Sequence, residues 1–318
     1  MMSRHDHADA VKLGTFNIRT TAVGNSGRLR WRRRRAIIES LIRSEDPDIL
    51  ALQEVTNRTH GIPYEMDQLQ WLGKTFPELE AAVGTVPHEP PADNPILVRR
   101  GRFRTLRRGF LAFDPEGGLT TGGVTPAVLQ RDPEYRIRPG QAARHRKKSI
   151  ASWAVLRARD WPEDIVVYNL HLDARSPGLR RRSAQFVIEL ITHLDHHRMP
   201  LMVLGDFNSF RGSPPVRALT ELGLEPVIEA NRQGTFHFGF GVTLWPRIDH
   251  ILVSEELRIL RGYIERHNHE GIYPSDHYPV FAEIAPGVYS MSRPSPSSAS
   301  SAVSSSSSPS TGSPSPVS

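Results

Sequence analysis

The chain has 318 residues, of which 38% are hydrophobic and 23% charged, and its formal net charge is +6. This composition is typical of a globular protein; no apolar run approaches the length of a membrane span, and the first residues lack the apolar core of a secretory signal. The absence of cysteine excludes disulfides, thiolate metal sites and cysteine nucleophiles. We therefore expect, by default, a cytoplasmic protein without a transmembrane segment, and take it to be a monomer.

Nearly all of the positive charge is arginine, because only four of the 40 basic residues are lysines. Guanidinium groups bind phosphates with two parallel hydrogen bonds, which suits an anionic substrate. An excess of arginine over lysine also follows from a GC-rich genome. Charge alone therefore does not choose between these two interpretations.

The two ends of the chain differ from the region between them. From about Ser290 the sequence is rich in serine and proline and almost without large apolar side chains, so burial cannot offset the entropy cost of ordering it. We predict a flexible arm over residues 1–9, one domain over residues 10–286 and a disordered tail over residues 287–318.

The first half of the domain alternates strand-like and helix-like segments. VKLGTFNI predicts a strand, RWRRRRAIIESLIRSED an amphipathic helix with solvated arginines, and PDILALQEV a buried second strand. Turn residues then predict a hairpin at residues 100–101 and a longer hairpin at residues 161–162.

The second half begins with a predicted helix over about residues 179–196. We expect the histidines near its end to lie at the surface: His193, His196 and His197. A buried strand in LMVLGDFNSF, a short helix after SPP and strands in RIDHILVS, LRILRGYIE and YPVFAEI follow. Many strands, several hairpins and few helices favour packed β-sheets with helices outside over a simple βαβ repeat.

Five predicted strands end in side chains that can hydrogen-bond or bind a metal ion. An unpaired charge buried among apolar strands is costly, so either each acid has its own partner or the acids converge on a shared cation. Convergence is the more economical interpretation. Carboxylate and amide oxygens without cysteine favour Mg²⁺, Mn²⁺ or Ca²⁺ over zinc. A hard cation beside arginines and histidines suggests phosphoryl chemistry.

Five motifs in order, TFNIR, PDILALQEV, NLHLDA, LGDFNSFRGSP and RIDHILVS with YPSDHYPVFAEI, resemble the endonuclease/exonuclease/phosphatase (DNase I-like) superfamily. The resemblance covers about residues 10–286. It implies an α/β fold, a four-layer sandwich of two mixed β-sheets packed face to face with helices outside, and a site at one edge of that sandwich.

The resemblance also implies a metal site and the residues around it. Glu54 would be the principal ligand of Mg²⁺, for which Mn²⁺ could substitute, and Asp276 would help to bind the metal. Asn17 would support the metal or the attacking water. Asp206 would orient or deprotonate the attacking water, or hold a second metal, and Asn208 would donate a hydrogen bond to the phosphate.

Two histidines complete the implied catalytic set. His277, held by Asp249, would act on the scissile phosphate as a charged hydrogen-bond donor or as a general base, because a carboxylate fixes the tautomer of an imidazole and raises its pKa. His171 stands where the deoxyribonuclease, sphingomyelinase and phosphatase branches have histidine and the abasic-site enzymes have tyrosine. It would protonate the leaving oxygen or stabilise the transition state.

Three further residues are candidate substrate contacts. Asn169 and Asp173 lie two residues either side of His171, and strand alternation puts them on its face. Arg144, in the segment ARHRKKS, precedes a predicted strand and could line a substrate groove.

The function expected from the sequence is that of a metal-dependent phosphoesterase acting by attack of water. The positive charge favours nucleic-acid phosphodiesters and hence a nuclease; the alternative is a phosphatase or phospholipase-type enzyme acting on inositol phosphates or lipids. A catalytically inactive binding or scaffold protein would show substitutions among the motif residues, and the central ones are all present. An α/β-hydrolase using Ser275 with His277 lacks the glycines of a nucleophile elbow.

Overall fold

The structure is a computed structural model that describes residues 9–21, 24–57, 65, 67–84, 92–113, 119–122, 149–229 and 233–287. The candidate substrate contact Arg144 lies outside the described residues, as do nearly all of the predicted N-terminal arm and C-terminal tail. Within the described residues, none of the helices combines the length and the apolar character that a membrane span needs.

The described residues contain four α-helices and fifteen strands. The helices are α1 (Trp31–Glu45), α2 (Gln68–Thr75), α3 (Pro177–His193) and α4 (Pro214–Glu221). The strands are β1 (Val11–Asn17), β2 (Ile49–Gln53), β3 (Val55–Thr56), β4 (Leu79–Val83), β5 (Ala92–Asp93), β6 (Ile96–Arg99), β7 (Phe103–Phe113), β8 (Leu119–Gly122), β9 (Ser149–Ala158), β10 (Asp164–His171), β11 (Leu201–Asp206), β12 (Leu224–Pro226), β13 (Asp249–Ser254), β14 (Leu257–Ile264) and β15 (Val280–Pro286).

The strands form two mixed sheets and one short ribbon of β3 with β5. One sheet has six strands in the order β14-β15-β1-β2-β6-β4, and the other has seven in the order β12-β13-β11-β10-β9-β7-β8. Each sheet contains one parallel pair, β1 with β2 and β10 with β11, among antiparallel neighbours. The predicted hairpin at residues 161–162 is confirmed as the antiparallel pair β9–β10.

Alternation along the strands fills both sides of each sheet with apolar side chains. In β10, Val167 points into the core between the two sheets, whereas Val166 and Leu170 point to the outer face. The outer face of the seven-stranded sheet packs against α3 and α4, and that of the six-stranded sheet against α1 and α2. Each apolar side chain buried in this way contributes about 1.5–3 kcal/mol. The four-layer sandwich predicted from the sequence is therefore confirmed.

The predicted hairpin at residues 100–101 is wrong. β6 pairs with β2 and β4 in the six-stranded sheet, and β7 pairs with β8 and β9 in the seven-stranded sheet. The turn at Gly101 therefore carries the chain from one sheet to the other. Local turn chemistry is the same for a hairpin and for such a crossing, because the partner strands lie far away in the sequence.

Two polar residues expected at the surface are buried. Arg34 in α1 and His196 after α3 are both 0% exposed. The guanidinium of Arg34 donates to backbone carbonyls, and Nδ1 of His196 lies 2.8 Å from the hydroxyl of Tyr168. Burial and the charge of Arg107 lower the pKa of His196 to about 4, so it is a neutral part of the core.

Candidate active site

Polar side chains stand at the carboxyl ends of both parallel strand pairs. Asn17 ends β1 and Glu54 directly follows β2, while His171 and Asp206 end β10 and β11 and face each other in register. The carboxyl ends of parallel strands meet at one edge of a sheet, which is where α/β folds place their sites. Packing the sheets face to face brings these four side chains to the same edge of the sandwich.

These four residues form one cluster that joins the two sheets. Nδ2 of Asn17 donates to Oδ2 of Asp206 at 3.0 Å and lies 3.5 Å from Oε1 of Glu54. Nε2 of His171 lies 3.9 Å from Oε1 of Glu54 and 3.8 Å from Oδ2 of Asp206. The predicted convergence of acid, amide and imidazole groups is therefore present in the structure.

A second imidazole enters the cluster from the loop before β15. Nδ1 of His277 lies 2.9 Å from Oδ2 of Asp249, and its Nε2 lies 3.8 Å from Oδ2 of Asp206. Burial lowers the pKa of His277, but the charges of Asp249 and Asp206 outweigh it and raise that pKa to about 10. His277 is therefore an imidazolium held between two carboxylates at neutral pH.

Asp206 is the centre of this arrangement. Its Oδ1 accepts a hydrogen bond from the backbone N–H of Asn208 at 2.9 Å, and its other oxygen faces Asn17 and both histidines. Burial and the charge of Asp249 raise the pKa of Asp206, against the opposing charges of His277 and His171. A carboxylate with a raised pKa is a stronger base than an exposed aspartate.

The backbone at the site is strained. Glu54, Arg19 and Asn208 have positive φ values of 58°, 59° and 47°, in the left-handed region that side chains with a Cβ avoid. Each such residue costs about 1–3 kcal/mol, and such strain clusters at functional sites. For Glu54 the positive φ falls between β2 and β3, which belong to different sheets.

Asp276 directly precedes His277, is buried, and has a protein cation as its partner. It forms an ion pair with Nη1 of Arg19, and its Oδ1 accepts a hydrogen bond from Oγ of Ser275 at 3.2 Å. The same hydroxyl lies 2.6 Å from the backbone oxygen of Asn17, which links this loop to β1. Sequence reasoning assigned no role to Arg19, although it stands two residues after Asn17 in TFNIR.

Asn208, predicted to contact the phosphate, lies beside the cluster. Its Nδ2 donates one hydrogen bond to the backbone oxygen of Leu172 at 2.9 Å. A carboxamide NH₂ carries two hydrogens, and the side chain is only partly buried. Asn208 thus combines a fixed orientation with further donor capacity.

The other two candidate substrate contacts make hydrogen bonds within the protein. Asn169 is 0% exposed, and its Nδ2 donates to the backbone oxygen of Leu52 while its Oδ1 accepts from Gln53, so it ties the two sheets together. Oδ1 of Asp173 accepts the backbone N–H groups of Arg175 and Ser176 just before α3. Strand alternation placed Asn169 on the face of His171 but did not show that this face turns inward.

The side chains present fit a hard divalent cation. One potential ligand atom each from Asp206, Asp249 and His277 lies within 4.8 Å of the others, and the two carboxylates are the groups of this set that can hold a cation while His277 is protonated. Oδ1 of Asp249 is buried, and among the described residues no group donates a hydrogen bond to it. An unpartnered buried carboxylate oxygen needs a cation or a water molecule, and oxygen ligands favour Mg²⁺ or Mn²⁺.

The comparison with protein families finds a match over most of the chain. The model of the Endonuclease/Exonuclease/phosphatase family matches residues 14–277, which include every residue of the cluster. No curated protein sequence matches this chain.

Solved structures share the fold at low sequence identity. A family protein from Bacteroides thetaiotaomicron is 22% identical, with a TM-score of 0.68 over 88% of this chain and 98% of that one. A mannosyl-6-phosphatase from the same organism is 22% identical, with a TM-score of 0.67 over 86% and 99%. TDP2 from D. rerio, complexed with a single-strand DNA product, is 13% identical, with a TM-score of 0.55 over 86% and 98%. These likenesses show the fold.

Proposed function

Because the chain belongs to the endonuclease/exonuclease/phosphatase family, we propose that it is a Mg²⁺-dependent phosphoesterase that cleaves a phosphodiester by attack of water. One observation carries this proposal. Asn17, Glu54, His171 and Asp206 come from four strand ends in two sheets, and polar atoms of Asn17 and His171 each lie 3.0–3.9 Å from both carboxylates. A core of apolar strands has no structural use for such a group of acids and imidazoles.

We assign the metal to Glu54, with Asn17 and Asp276 supporting it. His277 is less suited as a ligand because its imidazole is positively charged. Its Nδ1 faces Asp249 and its Nε2 faces Asp206. A hard divalent cation bound at this edge would neutralise charge on the phosphate oxygens.

Asp206 orients the attacking water and takes its proton. Asn17 and the backbone of Asn208 hold the carboxylate in place, and its raised pKa suits a general base. As the oxygen of the water bonds to phosphorus, its proton passes to Asp206 and the bond from phosphorus to the ester oxygen breaks.

Two groups stabilise the phosphate and a third serves the leaving group. The imidazolium of His277 and the side-chain amide of Asn208 donate hydrogen bonds to phosphate oxygens, where charge accumulates in the transition state. His171 gives a proton to the departing ester oxygen, which keeps a poor leaving group from departing as an alkoxide.

A phosphodiester is the leading substrate class because the chain carries a net charge of +6 and all but four of its 40 basic residues are arginines. The test is a panel assay of the purified chain with Mg²⁺ and with Mn²⁺. The panel contains bis-p-nitrophenyl phosphate, p-nitrophenyl phosphate, single- and double-stranded DNA, RNA, phospholipids, inositol phosphates and mannose 6-phosphate, and Asp206→Asn is the inactive control. Turnover of diesters alone supports the proposal.

A phosphatase is the second candidate, because a solved structure with the same fold is a mannosyl-6-phosphatase. Turnover restricted to the monoesters of the panel would select it. If the wild type hydrolyses no member of the panel faster than Asp206→Asn does, the chain is a binding protein that has kept the fold.

A further inference from the structure

Most of the large apolar side chains that are exposed in the described part of the chain lie on one loop. Five of the six lie on one loop, residues 236–245, and the sixth is Phe210, two residues after Asn208. The five are Phe238, Phe240, Val242, Leu244 and Trp245, and Phe240 and Leu244 are 70% and 74% exposed. Monomeric proteins rarely expose so many neighbouring apolar groups without a binding partner.

The loop is a rigid platform. Every second side chain from residue 238 to residue 244 points outward, and the residues between them are buried or half-buried. Nδ1 of the buried His237 accepts the backbone N–H groups of Gly239 and Gly241 at 3.2 Å each. A Cβ on Gly241, whose φ is 77°, would lie 1.9 Å from the hydroxyl of Tyr273. The loop backbone is therefore pressed onto the protein and holds its apolar side chains in solvent.

The platform is joined directly to the candidate active site. The backbone N–H of His237 donates to the carbonyl of Asp276, and the N–H of Tyr278 donates to the carbonyl of Thr235, both at 2.8 Å. The ring of Phe236 lies 4.9 Å from the ring of His277. Whatever the platform binds is thereby brought next to the imidazole of His277.

Arginines flank the apolar side chains. The exposed Arg28 and Arg30 lie on either side of Leu29, whose side chain packs under Gly239. The exposed Arg266 stacks on the ring of Tyr278 at 4.8 Å. An exposed acid, Glu270, precedes Gly271, whose backbone oxygen lies 3.5 Å from Nη1 of Arg28.

We propose that residues 236–245 dock onto the surface of an anionic phospholipid bilayer. Phenylalanine and tryptophan with flanking arginines are the side chains that anchor proteins at a membrane interface. Arginines near the surface are drawn to negatively charged headgroups. Val242 and Leu244 favour a bilayer over a single-stranded nucleic acid as the partner. Bases bind by stacking on aromatic rings, and aliphatic side chains contribute little to that binding. Docking itself does not depend on the proposed function. Only the statement that docking brings an active site to the bilayer rests on it.

The test measures binding of the full chain, without added metal, to vesicles. Vesicles of phosphatidylcholine with phosphatidylserine are compared with vesicles of phosphatidylcholine alone, by sedimentation and by tryptophan emission. We expect binding to the anionic vesicles and a blue shift of emission that Trp245→Phe removes, because Trp245 is the exposed tryptophan of the platform.

Matched variants locate the surface. Phe240→Ser with Leu244→Ser should weaken partitioning by about tenfold or more, whereas Thr243→Ser on the same loop should not. Arg28→Glu with Arg30→Glu should weaken it by about tenfold at low salt, and Arg181→Glu with Arg182→Glu, the same charge change on exposed positions of α3, should have little effect. Thermal unfolding confirms that each variant is folded.

Three results would overturn the proposal: no binding to anionic vesicles, equal binding by the platform variants, or binding to single-stranded DNA in place of vesicles. The last would make the platform a surface for stacking bases. Because vesicle binding needs no turnover, Asp206→Asn should bind like the wild type. A failed activity panel and failed docking are thus separate results.

Discussion

Nδ1 of His277 lies 2.9 Å from Oδ2 of Asp249, and both side chains are buried. This contact connects β13, in the seven-stranded sheet, to the loop before β15, in the six-stranded sheet. It holds the imidazole in one orientation and in its charged form. A charged imidazole fixed in this way is preorganised to donate a hydrogen bond to an anionic phosphate.

Replacing Asp249 with asparagine should therefore change the pH dependence of catalysis. Asp249→Asn keeps the shape of the side chain but removes its charge, so the pKa of His277 falls from about 10 and the alkaline limb of the pH–rate profile moves to lower pH. We expect kcat to fall by about 10²–10⁴-fold. Asp195→Asn, a change at an exposed acid after α3, is the control, and an alkaline limb that stays in place would contradict the assignment.

Asp249→Asn should also change how the free energy of unfolding depends on pH. Because the pKa of His277 is raised in the folded protein, its charged form stabilises the fold fully below its ordinary pKa of 6.5, and this contribution is lost as the pH rises toward 10. The free energy of unfolding in urea, measured without added metal, should fall less across this range in Asp249→Asn than in the wild type.

His171 is predicted to act on the leaving group. His171→Gln should slow the hydrolysis of an alkyl diester by about 10²–10³-fold, because an alkoxide needs a proton as it departs. Bis-p-nitrophenyl phosphate releases a stable phenolate, so its hydrolysis should fall far less. Equal losses with both substrates would show that His171 binds the phosphate instead.

Gly205 is required for the position of Asp206. Its φ is 138°, and a Cβ at this position would lie 1.9 Å from the backbone oxygen of Leu170 in the neighbouring strand. Gly205→Ala should reduce the free energy of unfolding by about 2–4 kcal/mol and reduce activity with it, because β11 must move away from β10. Gly73→Ala is the control: Gly73 lies in α2 with no atom within 4 Å of the added Cβ, so alanine should be neutral or slightly stabilising.

Arg34 is predicted to fix the loops on either side of the site. Its guanidinium donates to the backbone oxygens of Ile18 and Arg19 after β1 and of Pro274 before Asp276. Arg34→Lys cannot supply this fork of donors and leaves buried carbonyls without a partner, so we expect a loss of about 2–4 kcal/mol in urea unfolding.

The control for this change is Arg33→Lys, since Arg33 is exposed on the same helix. A loss of similar size in both variants would show that the cost comes from the helix and not from the loops.

Helices and strands were predicted well from the sequence wherever the spacing of apolar residues shows which face is buried. α1, α3 and β10 follow from apolar spacing, and the order of the motifs indicated which strand ends carry Asn17, Glu54 and Asp206. Arg34 was missed because a charged residue on a helix is expected in solvent, and only the tertiary structure supplies carbonyls from separate loops to satisfy it.

Long-range pairing explains the other differences. The turn at Gly101 joins two sheets because the partners of β6 and β7 lie in different parts of the chain. Arg19 and Asp276, which form an ion pair, are 257 positions apart in the sequence, so no local sequence pattern indicates that they meet. Asn169 turns inward because β10 is central in its sheet and Gln53 of the opposite sheet meets it.

The central claim is that side chains from both sheets hold one hard cation and use it to hydrolyse a phosphate ester. Its most direct test is the hydrolysis of bis-p-nitrophenyl phosphate by EDTA-treated protein as Mg²⁺ is added back. Wild type and Glu39→Gln, a change on the surface of α1, should regain saturable activity, while Glu54→Gln should remain about 10³-fold lower. Activity that needs no metal, or that Glu54→Gln retains, would contradict the claim.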